Sequence, residues 1–231
     1  MCFTPTVSLV TAITEFVFAG IMPFAFSRAR LKNIFAFFLF LLGFYQFTEF
    51  MLCTTGNAEV WVRAGYITYS LLPAVSVHAV WNYFGTKAYR WLLYVIPAFY
   101  SVIALFSSDF VQVGSCQTIF VLTKVFYSTS YDTALTLVYI AYYFFFIVFA
   151  CFFALKKYMQ EKDVEKKKLY LLLPLGVLLM SVPTFILMVV FPNLNFMFPS
   201  VLCHFALLLA IVTFVGVYWE HKLAEKTGQS V

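Results

Sequence analysis

Apolar residues run along this chain in blocks of about twenty, and polar residues collect in the short gaps between them. Seven blocks can be marked, roughly at 5–26, 34–53, 61–84, 91–108, 131–155, 169–191 and 197–218. A hydrocarbon layer of ~30 Å is crossed by about twenty helical residues at ~1.5 Å each, so every block predicts a membrane-spanning helix. The fourth is the shortest. Between the fourth and fifth, residues 109–130 carry Asp109, Gln112, Ser115, Gln117, Thr118, Thr123 and Lys124, which predicts a loop. The β-branched residues around Cys116–Val125 suit a small hairpin, and a structureless loop is the alternative.

Composition agrees with the pattern. The chain of 231 residues is 63% hydrophobic and 11% charged, with a mean hydropathy of +0.91. Soluble domains are nearer half apolar and a quarter charged. Thirty Phe and fifteen Tyr exceed what a water-soluble core of this size can bury. The fold class expected is therefore all-α: one polytopic membrane domain of seven transmembrane helices over residues 1–231.

Charge supplies the orientation. Arg28, Arg30, Lys32, Lys87, Arg90, Lys156, Lys157, Lys162, Lys166, Lys167, Lys168, Lys222 and Lys226 fall on one side of such a bundle. Arg63 and Lys124 fall on the other. Basic residues favour the cytoplasmic side, so the N-terminus is expected outside and the C-terminus in the cytoplasm of a multi-pass protein of the cell membrane. The net charge of +5 then reflects topology and the anionic inner leaflet, and no basic patch interleaved with exposed aromatics suggests nucleic acid. The cluster SRARLK follows the first apolar block, and no cleavable signal peptide is expected. Trp61, Trp91 and Trp219 fall near block ends, where indole rings prefer the interface.

Against this background the polar residues inside the blocks stand out: Glu15, Gln46, Glu49, His78, Asn82 and His204. An ionisable group within a span is costly and marks a candidate site. Helix rise places Glu49 about 5–8 Å, His204 about 10 Å and Glu15 about 15 Å below the outer surface, with His78 near the inner one. Ser8, Thr11 and Glu15 share one face of the first helix, and Gln46, Glu49 and Cys53 repeat that spacing on the second. Three uses of this set compete. Hydrogen-bonded neutral carboxyls tie helices together; or Glu15, Gln46, Glu49, His204, Ser8 and Thr11 anchor a small ligand or proton; or Cys2, Glu15, Glu49 and His204 hold zinc, which accepts those ligand types. No H-x-x-x-H or C-x-x-C spacing supports the third. His78 and Asn82, four apart, are expected to pair or to act as a proton-responsive switch. Of the five cysteines, Cys53 and Cys116 are the preferred disulfide pair, and Cys151 reads as an apolar filler.

The opening MCFTPTVSL and the later GFYQFTEFMLC resemble two stretches of an uncharacterised family of small prokaryotic membrane proteins. Those proteins begin Met-Cys-Phe-Ser-Ala and carry Gln-x-x-Glu-Gly in the second span. Met1, Cys2, Phe3, Ser8, Gln46 and Glu49 match, whereas Thr4, Pro5 and Phe50 depart. This resemblance covers about the first 55 residues and implies no particular reaction. Residues 61–85, through Trp61, Tyr66, Pro73 and Gly85, look like the third span of the seven-helix sensor region of bacterial histidine kinases.

The function classes follow. A receptor-like or small-ligand-binding seven-helix protein leads, with a polar pocket in the outer half and, at residues 156–168 (KKYMQEKDVEKKK), either a solvated loop or a docking site for a cytoplasmic partner. The charges of that segment are spaced to suit a helical extension of the fifth span. The alternatives are a membrane-embedded metal-dependent hydrolase using Cys2, Glu15, Glu49 and His204, and a proton-coupled transporter. Retinal is excluded as a cofactor, because block seven holds no Lys for a Schiff base.

Overall fold

The computed structural model describes residues 3–83, 90–107, 110–116, 121–125, 130–190 and 205–228. Its helices are α1 (Phe3–Ala25), α2 (Lys32–Thr54), α3 (Ala58–Tyr83), α4 (Val95–Phe106), α5 (Ser130–Gln160), α6 (Val164–Val190) and α7 (Ala206–Thr227). A 3₁₀ turn, Arg90–Tyr94, leads into α4. Strands β1 (Val111–Cys116) and β2 (Val121–Val125) pair antiparallel, with an irregularity between Val113 and Ser115. Five helical segments are long and apolar enough to cross a membrane: Pro5–Ala25, Lys32–Thr54, Thr133–Gln160, Val164–Leu187 and Ala206–Thr227.

The bundle is greasy outside. On α1, Val7, Val10, Ile13, Val17, Ile21 and Phe24 are exposed along one stripe, while Ser8, Thr11, Glu15 and Met22 are buried on the opposite face. A water-soluble helix has the reverse arrangement. The same outward apolar face continues through Phe99, Val102 and Phe106 of α4, Phe145 and Val148 of α5, Leu178 and Phe185 of α6, and Ile211 and Val215 of α7.

Helix α2 occupies the middle, packing against α1, α3 and α7. Two glycines set its distances. A Cβ on Gly43 would lie 3.0 Å from a ring carbon of Phe16 and 3.2 Å from the Ala12 carbonyl, and one on Gly65 would lie 2.7 Å from Thr48 Oγ1. Small residues of this kind let membrane helices approach closely and pack by dispersion.

Helix α3 is long enough to cross, at about 39 Å, yet its tyrosines, Trp61, Trp81 and His78 keep it outside the five apolar segments. It sits between α2, α4 and α5, so those polar edges meet protein. Pro73 lies inside it and has no N–H to give the Tyr69 carbonyl. The next carbonyl, of Ser70, accepts from Tyr142 Oη at 2.7 Å. A neighbouring helix thus supports the turn that the proline loosens.

Several expected boundaries move. The seventh block was expected to end at 218, but α7 continues to Thr227, where Gly228 at φ 65° closes it as a left-handed cap. It continues because Glu220, His221, Leu223 and Ala224 are buried. Residues 191–204, which contain the start of the expected seventh block, lie outside the described residues. Residues 156–168 follow the helical extension that their charge spacing suits: α5 runs to Gln160 and α6 starts at Val164, leaving three residues between. Glu161 Oε1 accepts from the backbone N–H groups of Lys162 and Asp163, and Asp163 Oδ1 caps α6 by accepting from Glu165 N–H at 2.9 Å. The fourth block divides into the 3₁₀ turn and a twelve-residue helix. Together they cover about 28 Å, close to a hydrocarbon thickness.

Candidate functional site

The first two helices carry their polar stripes toward each other. Ser8, Thr11 and Glu15 of α1 and Gln46, Thr48 and Glu49 of α2 are all buried. Ser8 Oγ donates to Glu49 Oε2 at 3.3 Å across the helix pair, and Tyr45 Oη donates to Glu49 Oε1 at 3.1 Å. Each oxygen of Glu49 therefore has a hydroxyl aimed at it, an arrangement that suits a carboxylate, whose oxygens only accept. Thr48 turns back to its own helix, donating to the Tyr45 carbonyl at 2.7 Å.

Glu15 differs. Its side chain is 0% exposed, and neither carboxyl oxygen has a hydrogen-bond partner among the described residues. It lies two helical turns from Ser8, about 10 Å along the axis. Burying a polar group without a partner costs several kcal/mol on an apolar-solvent scale, about 2–7. The two glutamates thus sit in unlike surroundings, one held by hydroxyls and one bare.

Beside Glu49 a small cavity opens between α2, α3 and β1. Tyr45, Thr48, Glu49, Trp61, Tyr66 and Tyr69 line it, with Leu52, Val62, Gly65 and Val111 completing the wall. It leaves about 20 Å³ for the centre of a water-sized group, and about 370 Å³ counting its open mouth. That inner space suits roughly one water.

Behind the cavity lies a cluster of tyrosines that the sequence reading did not single out. Tyr66 stacks on Tyr139 at 5.4 Å, and Tyr69 meets Tyr45, Tyr66, Tyr139 and Tyr143 at 5.2–6.2 Å between ring centres. Tyr139 Oη and Ser70 Oγ are 2.8 Å apart, and Tyr100 Oη donates to the Leu135 carbonyl at 2.7 Å. Edge-to-face rings of this kind add about 0.5–1.5 kcal/mol per pair beyond their burial. The signal was present: Tyr66, Tyr69 and Ser70 share a face of α3, as do Tyr139, Tyr142 and Tyr143 on α5.

A second polar group was missed at the basic end. Glu220 Oε1 accepts from Arg30 N–H at 3.2 Å and His221 Nδ1 from Arg28 N–H at 3.3 Å, so α7 holds the turn between α1 and α2. His221 Nε2 also lies 3.3 Å from Glu225. The expected end of the seventh block at 218 hid this contact, because only the continued helix buries the two side chains.

His78 does not pair with Asn82. Its Nδ1 is 2.7 Å from Tyr94 Oη, which the 3₁₀ turn brings across from the start of α4. Cys53 is disulfide-bonded and Cys151 is a free thiol. The Cys116 side chain and all of Cys2 and His204 lie outside the described residues, so two of the four expected zinc ligands do too. Among the described residues no group of three or more His, Cys, Asp or Glu side chains is placed to hold a metal ion.

No protein-family model matches the chain, no curated protein is detectably similar to it, and no solved structure matches its fold.

Proposed function

We propose that this chain is a seven-span integral protein of the cell membrane, N-terminus outside, and that it binds a small ligand in the polar interior of α1, α2 and α3. The Lys and Arg bias supports the orientation. So does the disulfide at Cys53, near the α2 end that the bias assigns to the oxidising side. One observation carries the binding reading: Glu15 is fully buried with neither oxygen hydrogen-bonded among the described residues, two turns from the Ser8–Glu49 contact. A bundle held by polar contacts alone would satisfy that carboxyl or replace it.

The test is thermal unfolding of the purified protein in lipid nanodiscs against a panel of small cations, amines, acids and neutral polar molecules. Saturable stabilisation by some member, absent in Glu15→Gln or Glu49→Gln, is the expected result. A panel without effect on the folded protein would remove the reading.

Proton-coupled transport is the second reading, and Glu15 also favours it, since a carboxyl with no hydrogen bond among the described residues has no such contact to break when it exchanges a proton. Flux in liposomes that does not depend on a pH gradient, or no flux, argues against it. Receptor-like signalling would need a cytoplasmic partner, for which the lysine-rich ends of α5 and α6 are the natural surface.

A further inference from the structure

Resting on the binding reading above, we infer that the cavity beside Glu49 takes a small cation, the ammonium head of a primary amine or the ammonium ion itself, seated between the Glu49 carboxylate and the rings of Tyr45, Trp61, Tyr66 and Tyr69. Three observations converge on this class. The only acidic or basic side chain lining the cavity among the described residues is Glu49, a carboxyl group buried at 4% exposure. Its walls are four aromatic rings from two helices. Its inner space admits about one water-sized centre, and an ammonium group is close to water in size.

Aromatic faces carry negative electrostatic potential and attract cations within about 6 Å, most strongly when water is excluded. A neutral molecule of equal size gains nothing from that potential, and an anion is repelled both by the faces and by Glu49. Tyr45 serves twice. Its hydroxyl holds Glu49 Oε1, and its ring meets Tyr69 edge-on at 5.6 Å. The hydroxyls of Ser8 and Tyr45 therefore hold the carboxyl in place beside the cavity. The wider space of about 370 Å³, which includes the open mouth, leaves room for the carbon tail of an amine.

The experiment is calorimetric titration of the full-length protein in nanodiscs with ammonium, methylammonium and ethylammonium chloride, using sodium chloride and methanol as controls for ionic strength and size. Saturable heat from at least one ammonium salt and none from methanol is expected. Glu49→Gln should abolish that heat, and Trp61→Leu, which spares every hydrogen bond to Glu49, should weaken it while circular dichroism remains helical. Ammonium binding undiminished in both folded variants, or binding of methanol alone, overturns the cation assignment but leaves a ligand pocket standing. If no probe binds here while the wider panel yields a ligand lost in Glu15→Gln, the inference falls and the binding reading survives. No ligand in either experiment ends both.

Discussion

Ser8 and Glu49, forty-one residues apart, meet at 3.3 Å in the buried seam between α1 and α2. The contact fixes the register of the two helices and presents the carboxylate to the cavity on its other side. Losing either donor removes a hydrogen bond from that buried carboxyl. Ser8→Ala and Tyr45→Phe should each lower stability by about 1–3 kcal/mol, read as a fall in thermal midpoint in nanodiscs. Unchanged midpoints in both would mean the contacts contribute nothing.

Glu15 should behave in the opposite way. With no hydrogen bond to lose among the described residues, Glu15→Leu removes a buried polar group and replaces it by an apolar one of similar volume. Removing an unsatisfied buried polar group relieves a desolvation cost of about 1–3 kcal/mol. We expect a higher thermal midpoint together with loss of ligand response. A clear drop in midpoint would show that Glu15 already has a stabilising role.

Gly65 and Gly20 make a matched pair. A methyl group on Gly65 meets Thr48 Oγ1 at 2.7 Å, whereas one on Gly20 meets nothing within 4 Å. Gly65→Ala should cost about 1–3 kcal/mol through overpacking, while Gly20→Ala should be neutral or slightly stabilising. Equal midpoints for the two variants would contradict the close approach of α2 and α3.

Thiol chemistry checks the Cys53 end of α2. In protein unfolded without reductant, Cys151 should alkylate and Cys53 should not, with Cys53 becoming reactive only after reduction. Mapping the Cys53 peptide also identifies its partner, expected from the sequence to be Cys116. An alkylated Cys53 before reduction would remove both the disulfide and its support for the orientation.

At the basic end, Glu220→Leu takes the acceptor from Arg30 N–H while Glu220→Gln keeps one. The leucine variant should lose about 1–3 kcal/mol and expose the α1–α2 turn to proteolysis, with the glutamine variant much closer to the parent. Identical protease patterns would show that α7 does not hold the turn.

By itself the sequence determined the long apolar helices and the polar stripes. Blocks of about twenty apolar residues predict helices wherever they occur, because a chain leaving water must satisfy its own backbone. Ser8, Thr11 and Glu15 can share a face only as a helix, and Gln46 and Glu49 likewise, so their shared burial was readable from spacing alone. What tertiary structure decided is partner choice. His78 turns to Tyr94 and not to its helical neighbour Asn82, Glu220 and His221 belong to a turn nearly two hundred residues away, and tyrosines from four helices gather behind Glu49. Periodicity states which way a side chain faces; only the packing of one helix against another states what it meets.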